Sequence, residues 1–280
     1  MISDEAFLQA ILEHPDENAP RLVYADWLEE CGDVDRAEFI RLQCGDGSPT
    51  RQAELLRQHG SHWAGQVAHH AYSFAFRRGF IEEIAINASA FLEIGPSLFD
   101  AAPIRLLRLI GTRAVMNRIF ASPLLGRLRA LHLTGCGIGD DGAELLAACR
   151  YLTDLQILRL GHNALGDRAV AALTDSPNLG NLHTLVLASN LIDHDGACLL
   201  AASTSFPHLQ TLDLSNNQIG HAGTQALAHS PLLQQLQRLD LSDQHKDSSL
   251  LRGRLGRVTP SELGAKGQLV NGLRTEACAR

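Results

Sequence analysis

The residues that could carry chemistry in this chain lie mainly in its first 70 positions. Five carboxylates surround a tryptophan in the segment ADWLEECGDVD, at residues 25–35. Grouped carboxylates can bind a metal ion or act as acid and base, but only where burial or close pairing shifts their pKa values. The segment has the apolar spacing of an amphipathic helix, which places the carboxylates on its solvated face. We therefore predict no catalytic residue among them.

Histidines and cysteines supply the other candidates. The stretch HWAGQVAHH contains His62, His69 and His70, and zinc sites require closer ligand spacing with Cys or carboxylate partners. We therefore predict no metal and no cofactor. Cys31 and Cys44 each precede Gly-Asp, and a nucleophilic thiol needs a base, for which the sequence offers no evident residue. An enzyme, or the substrate-recognition subunit of one, with chemistry around Asp26 or Cys31 is the alternative to a binding protein.

A third polar motif belongs to a repeat. The stretch LQTLDLSNNQIGHAG, at residues 209–223, recurs with a period of 27 residues in the middle of the chain. The repeating leucines are Leu131, Leu158, Leu185, Leu212 and Leu239, and the repeating asparagines are Asn163, Asn190 and Asn217. The asparagines are predicted to form a ladder whose amides satisfy buried backbone groups. In the fifth unit Gln244 replaces asparagine, so we expect the C-terminal cap to begin there.

The spacing within each unit predicts a strand, a turn and a helix. Leucines two positions apart lie on one face of a strand, and the later apolar positions recur at helical spacing. One unit cannot cover its own apolar face, but stacked units bury a continuous core. Gly142, Gly196 and Gly223, with Ala169 in the remaining unit, occupy equivalent positions. We expect close backbone packing there.

The pattern L-x-x-L-x-L-x-x-N/C-x-L resembles the leucine-rich-repeat family, and tails such as IGDDGAELLA are similar to its ribonuclease-inhibitor-like subclass. This resemblance implies an α/β fold, a right-handed solenoid with parallel strands on its concave side and helices on its convex side. Irregular first repeats are expected around Ile84 and Leu107. The solenoid is assigned to residues 81–244, and residues 245–280 are assigned to a C-terminal cap with a disordered tail.

Residues 1–44 do not follow the repeat and have the apolar spacing of three short helices. Motifs such as LVYADWLEECGD and EFI resemble the bacterial repeat-companion domain, and FRRGFIEEIAI, at residues 76–86, is similar to the bridge that follows it. This resemblance implies an N-terminal α-helical cap module and no activity. Residues 45–80 are assigned to a helical linker, with a helix that ends at Gly60 and helical structure through about Ala75.

Composition excludes several classes of function. The net charge of −7 argues against nucleic acid as a partner, because phosphate binding needs a clustered basic surface. The sequence contains neither a secretory signal pattern nor a long apolar run, so we expect no membrane association. The six cysteines include no CxxC pair, which indicates reduced thiols and a cytoplasmic protein.

Function is therefore expected on the concave side, where the residue between the two core leucines points outward. The partner-binding residues predicted there are Arg108, His132, Arg159, Asp213, Asp240 and Asp243. Their charge changes from basic to acidic along the groove, and the next outward column is small and mostly neutral. Such a surface suits a protein partner better than a small molecule. We predict a non-enzymatic protein–protein interaction scaffold; a purely structural repeat protein is the second alternative.

Overall fold

The computed structural model describes residues 4–45 and 47–244, together with the backbone of residues 257–258. The chain divides into two compact units, residues 1–108 and 109–280. This division lies inside the segment that the sequence assigns to the solenoid. The expected C-terminal cap and tail lie outside the described residues, apart from residues 257–258. None of the described helices has the length and apolar character needed to cross a bilayer.

Helices make up the first part of the first unit. They are α1 (Asp4–Glu13), α2 (Ala19–Glu30), α3 (Val34–Cys44), α4 (Pro49–Ala64) and α5 (Val67–His70). Local sequence sets their starts, because the side chains of Asp33 and Ser48 accept hydrogen bonds from the backbone N–H groups of Arg36 and Arg51. The first three helices lie where the sequence predicts them. The fourth continues four residues beyond the expected end at Gly60.

Aromatic rings surround a buried cation in this unit. The guanidinium of Arg36 lies 4.8 Å from the ring centroid of Trp63 and within 6 Å of those of Phe39, Phe76 and Phe80. Burial lowers the pKa of Arg36 to about 10, so the side chain remains a cation at neutral pH. Cation–π contacts with these ring faces offset part of the cost of removing that charge from water.

A β-hairpin follows the helices, formed by β1 (Ala71–Arg77) and β2 (Phe80–Asn87). The expectation of helical structure through Ala75 is therefore wrong. In β1 the alternation of Tyr72, Phe74 and Phe76 has the two-residue period of a strand. The turn residues Arg78 and Gly79 both have positive φ, of 50° and 87°. Such values match the right-handed twist of a two-residue hairpin turn.

The hairpin turn packs directly on α3. A Cβ atom on Gly79 would lie 2.5 Å from Cγ1 and 2.9 Å from Cα of Ile40, while the backbone N–H of Gly79 donates to Oε1 of Gln43 at 2.9 Å. We expect Gly79→Ala to lower the free energy of unfolding by about 1–3 kcal/mol, since both its φ and its Cβ are unfavourable. Chemical denaturation measures this. Gly65→Ala is the control, because φ is also positive there but no atom lies within 4 Å of its Cβ position; equal losses would contradict the packing argument.

A buried ion cluster joins the hairpin to α2. Arg21, which is fully buried, donates to Oε1 of Glu82 at 2.8 Å and to the carbonyl oxygen of Glu17 at 2.8 Å. Arg78 donates to both carboxylate oxygens of Glu82, at 3.1 and 2.9 Å. Desolvation is the main cause that lowers the pKa of Arg21. One carboxylate therefore compensates two cations inside the first unit.

The unit continues through α6 (Ala88–Ala101), and β3 (Leu106–Ile110) extends from it into the second unit. Asn87 begins α6, since its Oδ1 accepts a hydrogen bond from the backbone N–H of Ser89. The backbone N–H of Arg105 donates to the carbonyl oxygen of Glu82 at 2.8 Å, next to the ion cluster. Ile84 and Leu107, which the sequence places in irregular first repeats, are both buried.

The second unit repeats a strand, a turn and a helix. Its strands are β4 (Ala130–His132), β5 (Ile157–Arg159), β6 (Thr184–Val186), β7 (Thr211–Asp213) and β8 (Arg238–Asp240). Its helices are α7 (Met116–Phe120), α8 (Gly139–Ala147), α9 (Asp167–Thr174), α10 (His194–Ala202), α11 (Gly220–Ala228) and α12 (Pro231–Gln235). Short 3₁₀ turns lie at Pro123–Arg127 and Leu152–Asp154. A last strand, β9 (Arg257–Val258), pairs antiparallel with β8.

The strands pair in the register that the 27-residue period predicts. β4 to β8 are parallel in sequence order, and the central leucine of each strand lies opposite that of the next. All five of these leucines are at most 1% exposed. Gly223 shows the expected close backbone packing, since a Cβ there would lie 2.8 Å from Cβ of Ala197 and 3.1 Å from Cα of His194, whereas Gly142 and Gly196 lie against side chains. The unit is therefore an α/β stack with a parallel sheet and one continuous core.

Candidate binding face

An amide ladder closes the turn after each strand of the second unit. Oδ1 of Asn163 accepts from the backbone N–H of Cys136 at 2.9 Å, and Oδ1 of Asn190 accepts from that of Asn163 at 2.9 Å. The side-chain NH₂ of each asparagine donates to carbonyl oxygens of its own repeat and of the repeat before it. Asn163, Asn190 and Asn217 are at most 5% exposed. Their polar groups are used within the fold and are not offered to a ligand.

Other residue types occupy the two ends of the ladder. The thiol of Cys136 donates to the carbonyl oxygen of Leu109 at 3.2 Å. At the other end, Oε1 of Gln244 accepts from the backbone N–H of Ile219 at 3.2 Å, and its NH₂ group donates to the carbonyl oxygen of Leu214 at 2.9 Å. Gln244 therefore continues the ladder although it replaces asparagine, because its longer side chain makes equivalent bonds.

The backbone turns sharply just before each rung of the ladder. The residue at this position has a φ of 55–68° in every repeat; these residues are Gly135, His162, Ser189, Asn216 and Asp243. Gly, Asn, Asp and His adopt this left-handed conformation more readily than most residues. This column is not among the predicted features, although turn-forming residue types at a 27-residue spacing indicate it.

We call the outward side of β4 to β8 the strand face. Its first column consists of the residues between the buried leucines, His132, Arg159, Val186, Asp213 and Asp240. Its second column consists of Thr134, Gly161, Ala188, Ser215 and Ser242. The parallel register aligns the first column across the sheet, one strand apart. The second column is made of short side chains, so the strand face is open at its centre.

Basic residues lie at the β4 and β5 end of the strand face. Arg159 is exposed, and its side chain forms no ion pair or hydrogen bond with another described residue. His162, which the sequence analysis did not select, is exposed in the turn after the same strand. His132 is half-buried on the adjacent strand, in register with Arg159. Arg108, the remaining predicted basic residue, is exposed on β3 in the first unit.

Acidic residues lie at the β7 and β8 end. Oδ1 of Asp213 accepts from the backbone N–H and the hydroxyl of Ser215, at 3.0 and 2.6 Å, which leaves Oδ2 without a described hydrogen-bond partner. Asp240 makes the same two bonds with Ser242, but it is only 5% exposed. It therefore departs from the expectation of a solvent-facing contact residue. Asp243 is exposed in the following turn.

The carboxylates and cysteines of the first unit, which the sequence offers as candidates for catalysis, make other contacts. The carboxylates of Asp26 and Glu29 both accept hydrogen bonds from the guanidinium of Arg41, at 2.7 Å each, on an exposed surface. Burial is the main cause that raises the pKa of the Cys44 thiol, which opposes formation of a thiolate. Cys31 is exposed, and Gly32 follows it in a turn with a φ of 92°. None of these contacts assembles a nucleophile with a base.

Candidate metal ligands do not converge at the histidines that the sequence offers. In the described part of the chain, the group whose ligand atoms all lie within 4.8 Å of one another is Asp193, His194 and Asp195. Asp193 caps the start of α10, because its Oδ1 accepts from the backbone N–H of Asp195. His194 and Asp195 are exposed. Asp193 therefore already serves as a helix cap.

Comparison with known families agrees with the repeat. A family model described as a leucine-rich repeat matches residues 128–147, 151–173 and 207–228. These three segments of the second unit are therefore similar to leucine-rich repeats, and repeats of this kind generally mediate protein–protein interaction. A search of curated proteins gave no match.

Proposed function

We propose that this chain is a non-enzymatic scaffold that binds a protein partner on the strand face, the concave side expected of a ribonuclease-inhibitor-like solenoid. The proposal includes a bacterial, cytoplasmic protein with a repeat-companion module at its N-terminus, as the sequence resemblance implies. The partner-contacting residues are Arg159, Asp213 and Asp243, with His132 and His162 beside them.

The observation that supports the proposal is that the polar residues of the second unit fall into two groups, those bonded inside the fold and those available on the strand face. The asparagine side chains use their polar groups in hydrogen bonds inside the fold. The guanidinium of Arg159 and Oδ2 of Asp213 form no hydrogen bond with another described residue. Short residues between them leave the centre of the face accessible. A broad open surface of this kind suits a protein better than a small ligand, which usually needs an enclosed pocket.

Photo-crosslinking tests which side binds the partner. A photoreactive phenylalanine analogue replaces Val186 on the strand face or Leu199, a 40% exposed residue of α10 in the same repeat. We expect cross-linked partner from position 186 and none from position 199. Arg159→Glu and Asp213→Lys should each lower the yield at position 186. Arg159→Glu should do so without changing the melting temperature, because the Arg159 side chain forms no ion pair or hydrogen bond with another described residue.

Asp240→Lys is unsuitable for this test, since a buried charge reversal lowers stability whether or not a partner binds. Arg168→Glu serves as the matched control, because Arg168 forms its ion pairs with Asp141 and Glu144 on the helical side. Equal cross-linking at positions 186 and 199, or full yield with both strand-face variants, would contradict the proposal.

A further inference from the structure

The strand face carries two unused charges of opposite sign at a fixed separation. Arg159 lies in register with Val186, and Val186 lies in register with Asp213. Two steps between neighbouring strands amount to about 9.6 Å, since adjacent strands lie about 4.8 Å apart. This separation corresponds to about three residues of extended chain, at roughly 3.3 Å per residue.

The acidic position is held rigidly. Ser215 fixes Oδ1 of Asp213 through two hydrogen bonds, and the same arrangement recurs at Asp240 and Ser242. The orientation of the Asp213 carboxylate, including Oδ2, is therefore fixed by Ser215. A cation that binds Oδ2 costs little further side-chain entropy, because the carboxylate is already ordered.

Two histidines lie next to Arg159, the basic position of the strand face. His132 lies beside Arg159 on β4, and His162 follows Arg159 in the left-handed turn. No carboxylate of the first outward column stands opposite these three residues, because the acidic residues begin two strands away, at Asp213. An anionic side chain can approach Arg159 without displacing an ion pair of its guanidinium with a described residue.

The surface between the two charges is small and mainly apolar. Val186 and Ala188 are half-buried, and Gly161 is buried, its Cβ position lying only 3.1 Å from the carbonyl oxygen of Ala188. Neither polar side chains nor long side chains from these positions compete for the ligand. The backbone of a bound peptide with small side chains can therefore lie over these three residues.

We propose that the partner is recognised through an extended peptide segment with one acidic and one basic side chain, two to four residues apart and joined by small residues. The acidic side chain binds Arg159, and the basic side chain binds Asp213. This inference rests on the proposed function, because it concerns the same face. It defines the chemistry of the partner, and charge complementarity sets its specificity.

The experiment selects displayed random dodecapeptides on the full chain. The same library is selected on Val186→Trp, which covers the centre of the face, and on Ala188→Trp as a second blocking variant. Melting temperatures establish that each variant is folded. We expect peptides enriched on the unmodified chain to contain the acidic and basic pair at the stated spacing, and to lose binding to the folded blocking variants.

Double-mutant cycles then assign each charge. One enriched peptide is made with its acidic residue changed to the amide, or its basic residue changed to norleucine, and its Kd is measured against Arg159→Ala and Asp213→Asn. Matched pairs should show coupling of about twofold to fivefold, as for solvent-accessible charge pairs, and crossed pairs should show none. Arg168→Ala, on the helical side, should bind every peptide as the unmodified chain does.

The two hypotheses fail in different ways. Peptides that the blocking variants exclude, but that lack the charge pair or show no matched coupling, would overturn the inference and leave the strand face as the binding surface. Enrichment no greater on the unmodified chain than on the blocking variants would overturn the proposed function and the inference together.

Discussion

Replacing Glu82 with glutamine is expected to lower the free energy of unfolding by about 3–5 kcal/mol, the usual cost of removing one partner from a buried ion pair. Arg21 is fully buried, and Arg78 also donates to the Glu82 carboxylate. Glutamine is close in size but neutral, so two cations would remain without a compensating charge. Denaturant unfolding, monitored by the tryptophan fluorescence of the first unit, measures the loss.

The neighbouring residue provides the control. Glu83 pairs with Arg77 at 2.7 Å, but the Arg77 side chain is 63% exposed. Glu83→Gln should therefore cost less than about 1 kcal/mol, since exposed ion pairs contribute little. Similar losses for the two substitutions would show that burial of the Arg21–Glu82–Arg78 cluster does not determine how much the cluster contributes to the free energy of unfolding.

Asn190→Ala should lower the free energy of unfolding of the second unit by about 2–4 kcal/mol, because each buried group left unpaired costs about 1–3 kcal/mol. Oδ1 of Asn190 accepts from the backbone N–H groups of Asn163 and Leu165, and its NH₂ group donates to the carbonyl oxygens of Leu160 and Leu187. The substitution removes these four bonds at once, together with a fifth to the carbonyl oxygen of Ala188 at 3.3 Å. Thermal unfolding followed by circular dichroism measures the loss.

Asn181 serves as the matched control for this substitution. It is exposed, and its side-chain NH₂ makes one bond to the preceding repeat, to the carbonyl oxygen of Thr153 at 2.7 Å. We expect Asn181→Ala to cost less than about 1 kcal/mol, as is usual at the surface. An Asn190→Ala protein as stable as Asn181→Ala would contradict the role given to the ladder.

The repeat could be predicted because its period fixes the register of the sheet. Once each 27-residue unit contributes one strand, Leu158 must lie between Leu131 and Leu185, and the leucine column follows from the sequence alone. The open strand face follows as well, since it consists of the residues between the leucines. Local periodicity was therefore sufficient wherever neighbouring repeats make equivalent contacts.

Contacts between distant segments could not be predicted in this way. Arg21 and Glu82 are 61 residues apart, and no spacing rule connects them. Strand β1 was missed because its alternating aromatics follow a helical stretch, and its Arg78–Gly79 turn is not one of the common hairpin dipeptides. The outward position of Asp240 was predictable, but its burial depends on groups that pack around it and not on the period.

The ladder also has a direction. The acceptor oxygen of each rung receives the backbone N–H groups of the repeat before it, from Asn163 onto Cys136 through to Gln244 onto Ile219. A repeat therefore has its turn amides satisfied only after the following repeat exists. During synthesis from the N-terminus, the turn amides of each newly emerged repeat would therefore lack their acceptor until the next repeat folds. Gln244 supplies this acceptor for the repeat that contains Asn217.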